Sequence, residues 1–405
     1  MPADLTPRAG GEGARGSGAP PPKVLVVMAH GRISGGERVL LELLSEVAPG
    51  PVVVAAPVCS ELADEVRHLG HRVVDFSLPK LRQVPSTLAY ARAYGRAVCS
   101  LWHAVGAEQV DLLHGFVATT AKVVAPVALA RRVPAMLSVH EMTTPSDIGV
   151  VRSLAQTAAA RTGIDQVTAV SAWVADALVG SGYRSDQVAV VHNGVARRGP
   201  PVAVVEARRM LGIPLGPVVF AVVGRLTPWK GQLVAIEALA LLRRGADAPA
   251  AVLVVAGGPF EPADRGYLDE LRRRATLPDV AGAVIFLGHQ RDVWPVYDAA
   301  DVVLVPSIEP DPFPTVVLEA GAARRPVVVT ALGGAGEAVD DGVTGYVRPP
   351  TPAAFADAMG RALDVSWRDR AGERAALKMA GELSRANYAR QMTGFWRSTA
   401  ARRAR

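Results

Sequence analysis

The sequence predicts an α/β protein of two doubly wound domains, and three observations carry that expectation. Short apolar runs alternate with amphipathic helical stretches along nearly the whole chain. Half of the residues are hydrophobic while only 5% are aromatic, which suits buried strands rich in Val and Leu and helices rich in Ala. At 405 residues the chain exceeds one ordinary core, so two domains of roughly 150 to 200 residues each are expected.

The opening MPADLTPRAGGEGARGSGAPPP is too rich in Gly and Pro to pack, and residues 1–22 are set aside as a disordered segment. From Lys23, KVLVVMAH reads as a buried strand and GGERVLLELLSEVA as a helix with Val39, Leu40, Leu43, Leu44 and Val47 on one face. Further strands are predicted at PVVVAAPV, HRVVDFSL, VDLLHGF, PAMLSVHE, QVTAVS and QVAVVHNG. Alternation of this kind implies a parallel sheet covered on both faces. The stretch VARRGPPVAVVEARRMLGIPLG, punctuated by Pro and Gly, reads as a connector with a short helix, so the first domain is expected to span 23–196.

The second domain, expected over 197–365, repeats the pattern at PVVFAVVGRL, AAVLVVAGG, AVIFLGHQ, DVVLVPS and RPVVVTAL, with Leu233, Ile236 and Leu239 inward on its first helix. Residues 366–405 read as a helical segment suited to packing back on the first domain, and they end in the basic tail RSTAARRAR. In doubly wound sheets ligands lie beyond the carboxyl ends of the strands, so functional residues are sought there, along a cleft between the two domains.

Several classes are set aside. The opening lacks the apolar core of a secretory signal, and no stretch approaches the roughly 18 apolar residues of a membrane span, so a cytoplasmic protein is expected. Cys59 and Cys99 form neither a metal cluster nor a disulfide framework and read as small buried residues. The net charge of +6 suits phosphorylated small molecules. It is also compatible with peripheral contact at the inner face of a membrane, and no nucleic-acid partner is expected.

Three stretches stand where a ligand belongs. In HGRISGGERVL, Ser34 and Glu37 have capping-box spacing, so a helix starts at Gly35 and Gly36, whose lack of side chains lets a ligand approach the N–H donors. A Gly pair also serves a plain tight turn, and the dinucleotide pattern G-x-G-x-x-G is absent. In GRLTPWKG, Arg225 follows a strand and Lys230 precedes a helix, a pairing able to hold a diphosphate. In SIEPDPFPTVVLEA, three prolines stiffen a loop ahead of a helix. Asp311 and Glu319 there offer carboxylates to sugar hydroxyls beside exposed backbone donors.

With these stretches in view, the chain resembles the retaining family-four glycosyltransferases of the GT-B fold. DPFPTVVLEAGAARRPVVVT looks like their signature of two acids with seven residues between them. SVHE, VHNGV, GRLTPWKG, VVAGGP, VIFLGHQ and GGAGEAVDDGVTGYV follow in family order. The resemblance implies that Glu319 binds the ribose of a nucleotide and Asp311 the transferred sugar, while Arg225 and Lys230 bind the diphosphate. It places His140 against the donor sugar, Gly35 and Gly36 at the phosphates, Gln290 near the base, and Phe313, Thr315 and Val316 at the donor. His140, Arg225, Lys230 and Asp311 would carry catalysis.

Two positions depart from the family: Asp311 stands where Glu is usual, with Glu309 two residues earlier as an alternative first carboxylate, and Pro314 replaces Gly. The implied activity is hexosyl transfer from a UDP- or GDP-linked sugar to an acceptor hydroxyl, retaining and without a metal cofactor. A GT-B epimerase, a phosphorylase and a non-catalytic sugar binder are the alternatives. The sequence names neither the acceptor nor the oligomeric state.

Overall fold

The computed structural model describes residues 20–79, 86–142, 149–244, 249–259 and 264–402. The expected disordered opening therefore lies almost wholly outside the described residues, as do the last three residues of the basic tail. The chain divides into two compact units, one of residues 1–194 with 385–405 and the other of 195–384. The helical segment expected from 366 onward is thus shared between them, with the break at Arg385.

The first unit is built on a seven-stranded parallel sheet: β1 (Val24–Val27), β2 (Val52–Ala56), β3 (Arg72–Asp75), β4 (Leu112–Gly115), β5 (Ala135–Val139), β6 (Gln166–Ala169) and β7 (Val188–Val190). Their order is β3-β2-β1-β4-β5-β6-β7, so the direction of winding reverses between β1 and β4. All four residues of β1 are buried, as the continuous run VLVV demands of a strand covered on both faces. The helix Gly35–Leu44 lays Val39, Leu40, Leu43 and Leu44 on this sheet.

One element of this core comes from the far end of the chain. Tyr388, Met392 and Trp396 of the helix Arg385–Arg402 are buried in the same cluster as β1 and β2. Trp396 donates its indole N–H to His114 Nδ1 at 3.1 Å, and His114 Nε2 lies 2.8 Å from Ser138 Oγ, which meets Thr168 Oγ1 at 2.8 Å. Accepting at Nδ1 leaves the Nε2–H tautomer to donate to Ser138, so this polar chain through the sheet is satisfied with a neutral imidazole.

The second unit carries β8 (Val218–Val223), β9 (Ala251–Ala256), β10 (Val284–Gly288), β11 (Val302–Val305), β12 (Val327–Thr330) and β13 (Gly345–Arg348). Their order is β10-β9-β8-β11-β12-β13, with the reversal between β8 and β11. The strand GYVR, β13, went unread in the sequence because it is short and half-buried at its end. Ile236 and Leu239 of the helix Gln232–Leu242 are fully buried against this sheet, with Leu233 partly so.

The two cysteines correct the sequence expectation, since both are exposed. On the helix Thr87–Glu108 the buried residues Ala97, Leu101 and Val105 recur every four positions. That spacing turns Cys99 to the opposite side. Cys59 stands in the turn just before Ser60 caps the helix Glu61–His68. Among the described residues no helix is long and apolar enough to cross a membrane.

Candidate functional site

In the second unit the site grows from the two loops that follow β8 and β11, neighbours at the reversal point of the sheet. The first loop runs from Gly224 through the 3-10 turn Pro228–Lys230 to Gly231, and the second from Pro306 to Pro314. They are tied by the Ile308 N–H, which donates to Trp229 O at 2.8 Å. Gly231 makes this approach possible: its φ of +70° is left-handed, and a Cβ there would lie 1.9 Å from Pro306 O.

The contact between the loops brings Lys230 and Asp311 together. Lys230 Nζ donates to Asp311 Oδ2 at 2.5 Å and lies 4.1 Å from the centre of the Trp229 ring. Asp311 is 5% exposed, whereas Glu309 is exposed, so the buried carboxylate beside the lysine is Asp311. Its backbone is held from the other side: Gly334 N–H donates to Asp311 O at 2.8 Å. Gly333, at a φ of +73°, passes so close that a Cβ would meet Asp311 O at 2.3 Å.

Pro314 forms the N-cap of the helix Thr315–Ala322, and no side chain caps it. The N–H groups of Thr315 and Val316 have no partner within the helix and form the positive end of its dipole. Phe313 is buried at the turn into this helix. Glu319, half-buried one turn further on, accepts a hydrogen bond of 2.5 Å from the hydroxyl of Tyr297. Tyr297 is fully buried on the helix Trp294–Ala299. Sequence reading missed Tyr297, for nothing in WPVYDA marks it as the partner of a residue 22 positions away.

Arg225 is exposed at the mouth of the first loop, and its carbonyl accepts from Gln232 Nε2 at 2.8 Å. Gln290 stands apart from this group: it follows β10 at the sheet edge, and its amide donates to Leu287 O at 2.8 Å.

A second set of residues gathers beyond the strand ends of the first unit. The helix start at Gly35 and Gly36 is fixed by Glu37, which accepts from the Ser34 N–H at 3.0 Å and from its hydroxyl at 2.5 Å. A Cβ at Gly35 would meet nothing within 4 Å, and one at Gly36 would lie 4.0 Å from His140 Cβ. His140, directly after β5, stacks on Phe116 with ring centres 4.8 Å apart. Burial lowers its pKa to about 4, so the ring is neutral near pH 7. Burial likewise pushes the neighbouring Glu141 carboxyl up to about 7, with the charge of Glu37 adding and the backbone N–H groups of Thr119 and Ala118 opposing. Nothing in SVHE itself marks Glu141 as a buried carboxyl.

The family described as Glycosyltransferase Family 4 matches residues 33–197, and that described as Glycosyl transferases group 1 matches residues 217–364. The chain is 36% identical over 234 residues to D-inositol 3-phosphate glycosyltransferase of Corynebacterium urealyticum, covering 56% of this chain and 54% of that protein. It is 44% identical over 162 residues to the protein of that name from Actinosynnema mirum, covering 38% of each. The chain thus spans about half the length, or less, of the curated relatives it matches. Among solved structures, Anabaena Alr3699/HepE in complex with UDP superposes with a TM-score of 0.82 at 22% identity, covering 93% of this chain and all of that one. Sucrose-phosphate synthase from Thermosynechococcus elongatus superposes with a TM-score of 0.75 at 19% identity, covering 93% and 99%. At these identities the likeness is one of fold.

Proposed function

Since the chain belongs to the group 1, family-four glycosyltransferases and has their two Rossmann-like domains, we propose that it transfers a hexosyl unit from a nucleoside diphosphate sugar to an acceptor hydroxyl with retention. The observation that carries this reading is the meeting of Lys230, Asp311 and the uncapped helix start at Thr315, with Glu319 one turn behind. A diphosphate fits the lysine and the helix N–H groups, and Glu319 suits the vicinal hydroxyls of a ribose. UDP is the favoured nucleotide, because the superposing Anabaena protein is described with UDP and with UDP-glucose.

The proposed chemistry is a same-face displacement. The acceptor oxygen bonds to the anomeric carbon as the bond from that carbon to the phosphate oxygen breaks, and the departing phosphate takes the acceptor proton. Lys230 and Arg225 stabilise the charge that grows on the diphosphate, and Asp311 orients both the lysine and the sugar. In this reading the two cations take the part that a metal plays in other transferases.

The test is incubation of the purified chain with UDP-glucose, UDP-N-acetylglucosamine and GDP-mannose, with and without candidate acceptors and with EDTA. Nucleotide release only with an acceptor, an unchanged anomeric configuration by NMR and insensitivity to EDTA are expected. Conversion of the donor without any acceptor would replace transfer by epimerisation, and an absolute need for Mn²⁺ would remove the role given to the cations.

A further inference from the structure

One helix of the first unit is inside out. The helix Val150–Gly163 turns Ser153, Gln156 and Thr157 inward, where they are 3%, 2% and 6% exposed. Its outward side carries Val150, Val151 and Leu154, which are 60%, 80% and 62% exposed, followed by exposed Ala155 and Ala158. At 3.6 residues per turn these five fall within about 140° of arc, one continuous apolar stripe. A helix that covers a sheet ordinarily has the reverse pattern, so a stripe of this kind marks an interaction surface.

The stripe lies in a field of one sign. The helix Ala121–Arg131 packs against both the helix Thr87–Glu108 and the helix Val150–Gly163. The Tyr94 hydroxyl donates to Lys122 O at 2.5 Å, and Gly163 passes so close to Ala125 that a Cβ would meet its carbonyl oxygen at 2.8 Å. Each helix runs back from the carboxyl edge of the parallel sheet, which sets Leu88, itself 61% exposed, Lys122 and Val150 along that edge. Arg92 and Arg96, both exposed, continue the face of Leu88 one and two turns on. Across the three helices the cations are Arg92, Arg96, Lys122, Arg131, Arg152 and Arg161, and the single acid is Glu108. Glu108 is buried and already paired with Lys23 at 3.3 Å and Arg72 at 2.9 Å. Among the described residues of these helices no exposed carboxylate offsets the cations.

This combination selects the partner. Aliphatic side chains among cations match a lipid headgroup layer, whose phosphates take the charges while Val and Leu enter the boundary of the acyl chains. Nucleic acid would use the cations and leave the aliphatic stripe in water. A second copy of this chain would bring charge of the same sign to the contact. The structure assigns this face to an anionic bilayer surface: the first unit docks there through Leu88, Val150, Val151 and Leu154, with Arg92, Lys122 and Arg152 on the headgroup phosphates. Docking goes beyond the glycosyltransferase reading and is tested with neither donor nor acceptor present, so either can fail without the other.

The experiment is flotation of the full chain with vesicles of phosphatidylcholine alone and of phosphatidylcholine mixed equally with phosphatidylglycerol. Binding to the mixed vesicles at low salt, about tenfold weaker at high salt, is expected. Vesicles of phosphatidylcholine alone should bind at least about tenfold more weakly than the mixed ones. V151S/L154S removes the most exposed part of the stripe and should weaken binding about tenfold. R92E/R152E should weaken it at least as much, because each reversal turns attraction to the anionic surface into repulsion. All four side chains are exposed, so circular dichroism and melting temperature should stay parental. V365S/L377S, which changes two equally exposed side chains of the second unit, should bind as the parent does. Failure to bind the mixed vesicles, equal binding to phosphatidylcholine, parental binding by either variant of the face, or an equal loss in V365S/L377S would each overturn the assignment. Capture of tRNA through the same arginines with vesicles left unbound would replace the bilayer by nucleic acid.

Discussion

Tyr297 reaches from the interior of the second unit to hold Glu319, its hydroxyl 2.5 Å from the carboxylate oxygen. The phenol orients the group proposed to take the ribose hydroxyls. Y297F removes one donor and little volume. The expected result is a donor KM raised about 3- to 10-fold, the equivalent of a hydrogen bond worth about 1 kcal/mol, with kcat changed less. Preference for UDP over 2′-deoxy-UDP should relax in parallel. A variant with unchanged KM and unchanged preference would show that Glu319 does not need the tyrosine.

The ion pair of Lys230 and Asp311 yields a second expectation. The Lys230 and Asp311 side chains are 19% and 7% exposed, so removing either strands the other with little water around it. K230A should lower kcat about 10²-fold through lost stabilisation of the leaving diphosphate. D311N should lower it too, and the double variant should lose less than the sum of the two, as partners in contact do. Strict additivity in steady-state kinetics would mean that the pair does not act as a unit.

Gly231 offers a test of the loop architecture. In G231A the new methyl group meets Pro306 O at a left-handed φ, so the loops carrying Lys230 and Asp311 must separate. A cost of about 1–3 kcal/mol should lower the melting temperature of the unit by several degrees. Donor binding should fall with it. Retention of the parental melting temperature by calorimetry would contradict the close approach.

The titrating groups of the first unit predict opposing effects of pH. His114 and His140 have their pKa values lowered by burial to about 3 and about 4 from 6.5, so the unfolded chain binds more protons below pH 6.5. Their contribution to stability is lost as pH falls through that window. Glu141, raised to about 7 from 4.5, keeps in the folded state a proton that the unfolded state has released, so its contribution falls as pH rises between those values. Urea unfolding of the parent and E141Q from pH 4.5 to 7.5 isolates the latter. The variant should gain stability relative to the parent as pH rises, and a difference independent of pH would contradict the buried carboxyl.

Much of this was legible in the sequence because it is local. The apolar run at Val24–Val27, the Ser34 and Glu37 cap and the prolines before Thr315 each declare their conformation within a few residues. The choice between Asp311 and Glu309 was not local. Two residues apart in one loop, they differ in burial, and Asp311 is turned to Lys230 by Gly333 and the contact with Trp229. Tyr297 escapes sequence reading for a related reason: a buried aromatic residue reads as core, and its hydroxyl gains meaning only from the Glu319 carboxylate it meets. Cys99 was misread because composition says that cysteine favours the interior, while the face of the helix is set by Ala97, Leu101 and Val105.

The helix Arg385–Arg402 finishes a core that opens at Val24, so the order of synthesis and the order of completion differ. As the ribosome extends the chain, residues 195–384 emerge as one uninterrupted stretch that contains all six strands of their own sheet. The earlier-made unit meanwhile waits with the place of Tyr388, Met392 and Trp396 uncovered until residues 385–402 are released. A nascent chain halted before Arg385 would therefore hold a finished later half beside an earlier one still exposing apolar surface, which is the kind of surface that chaperones engage.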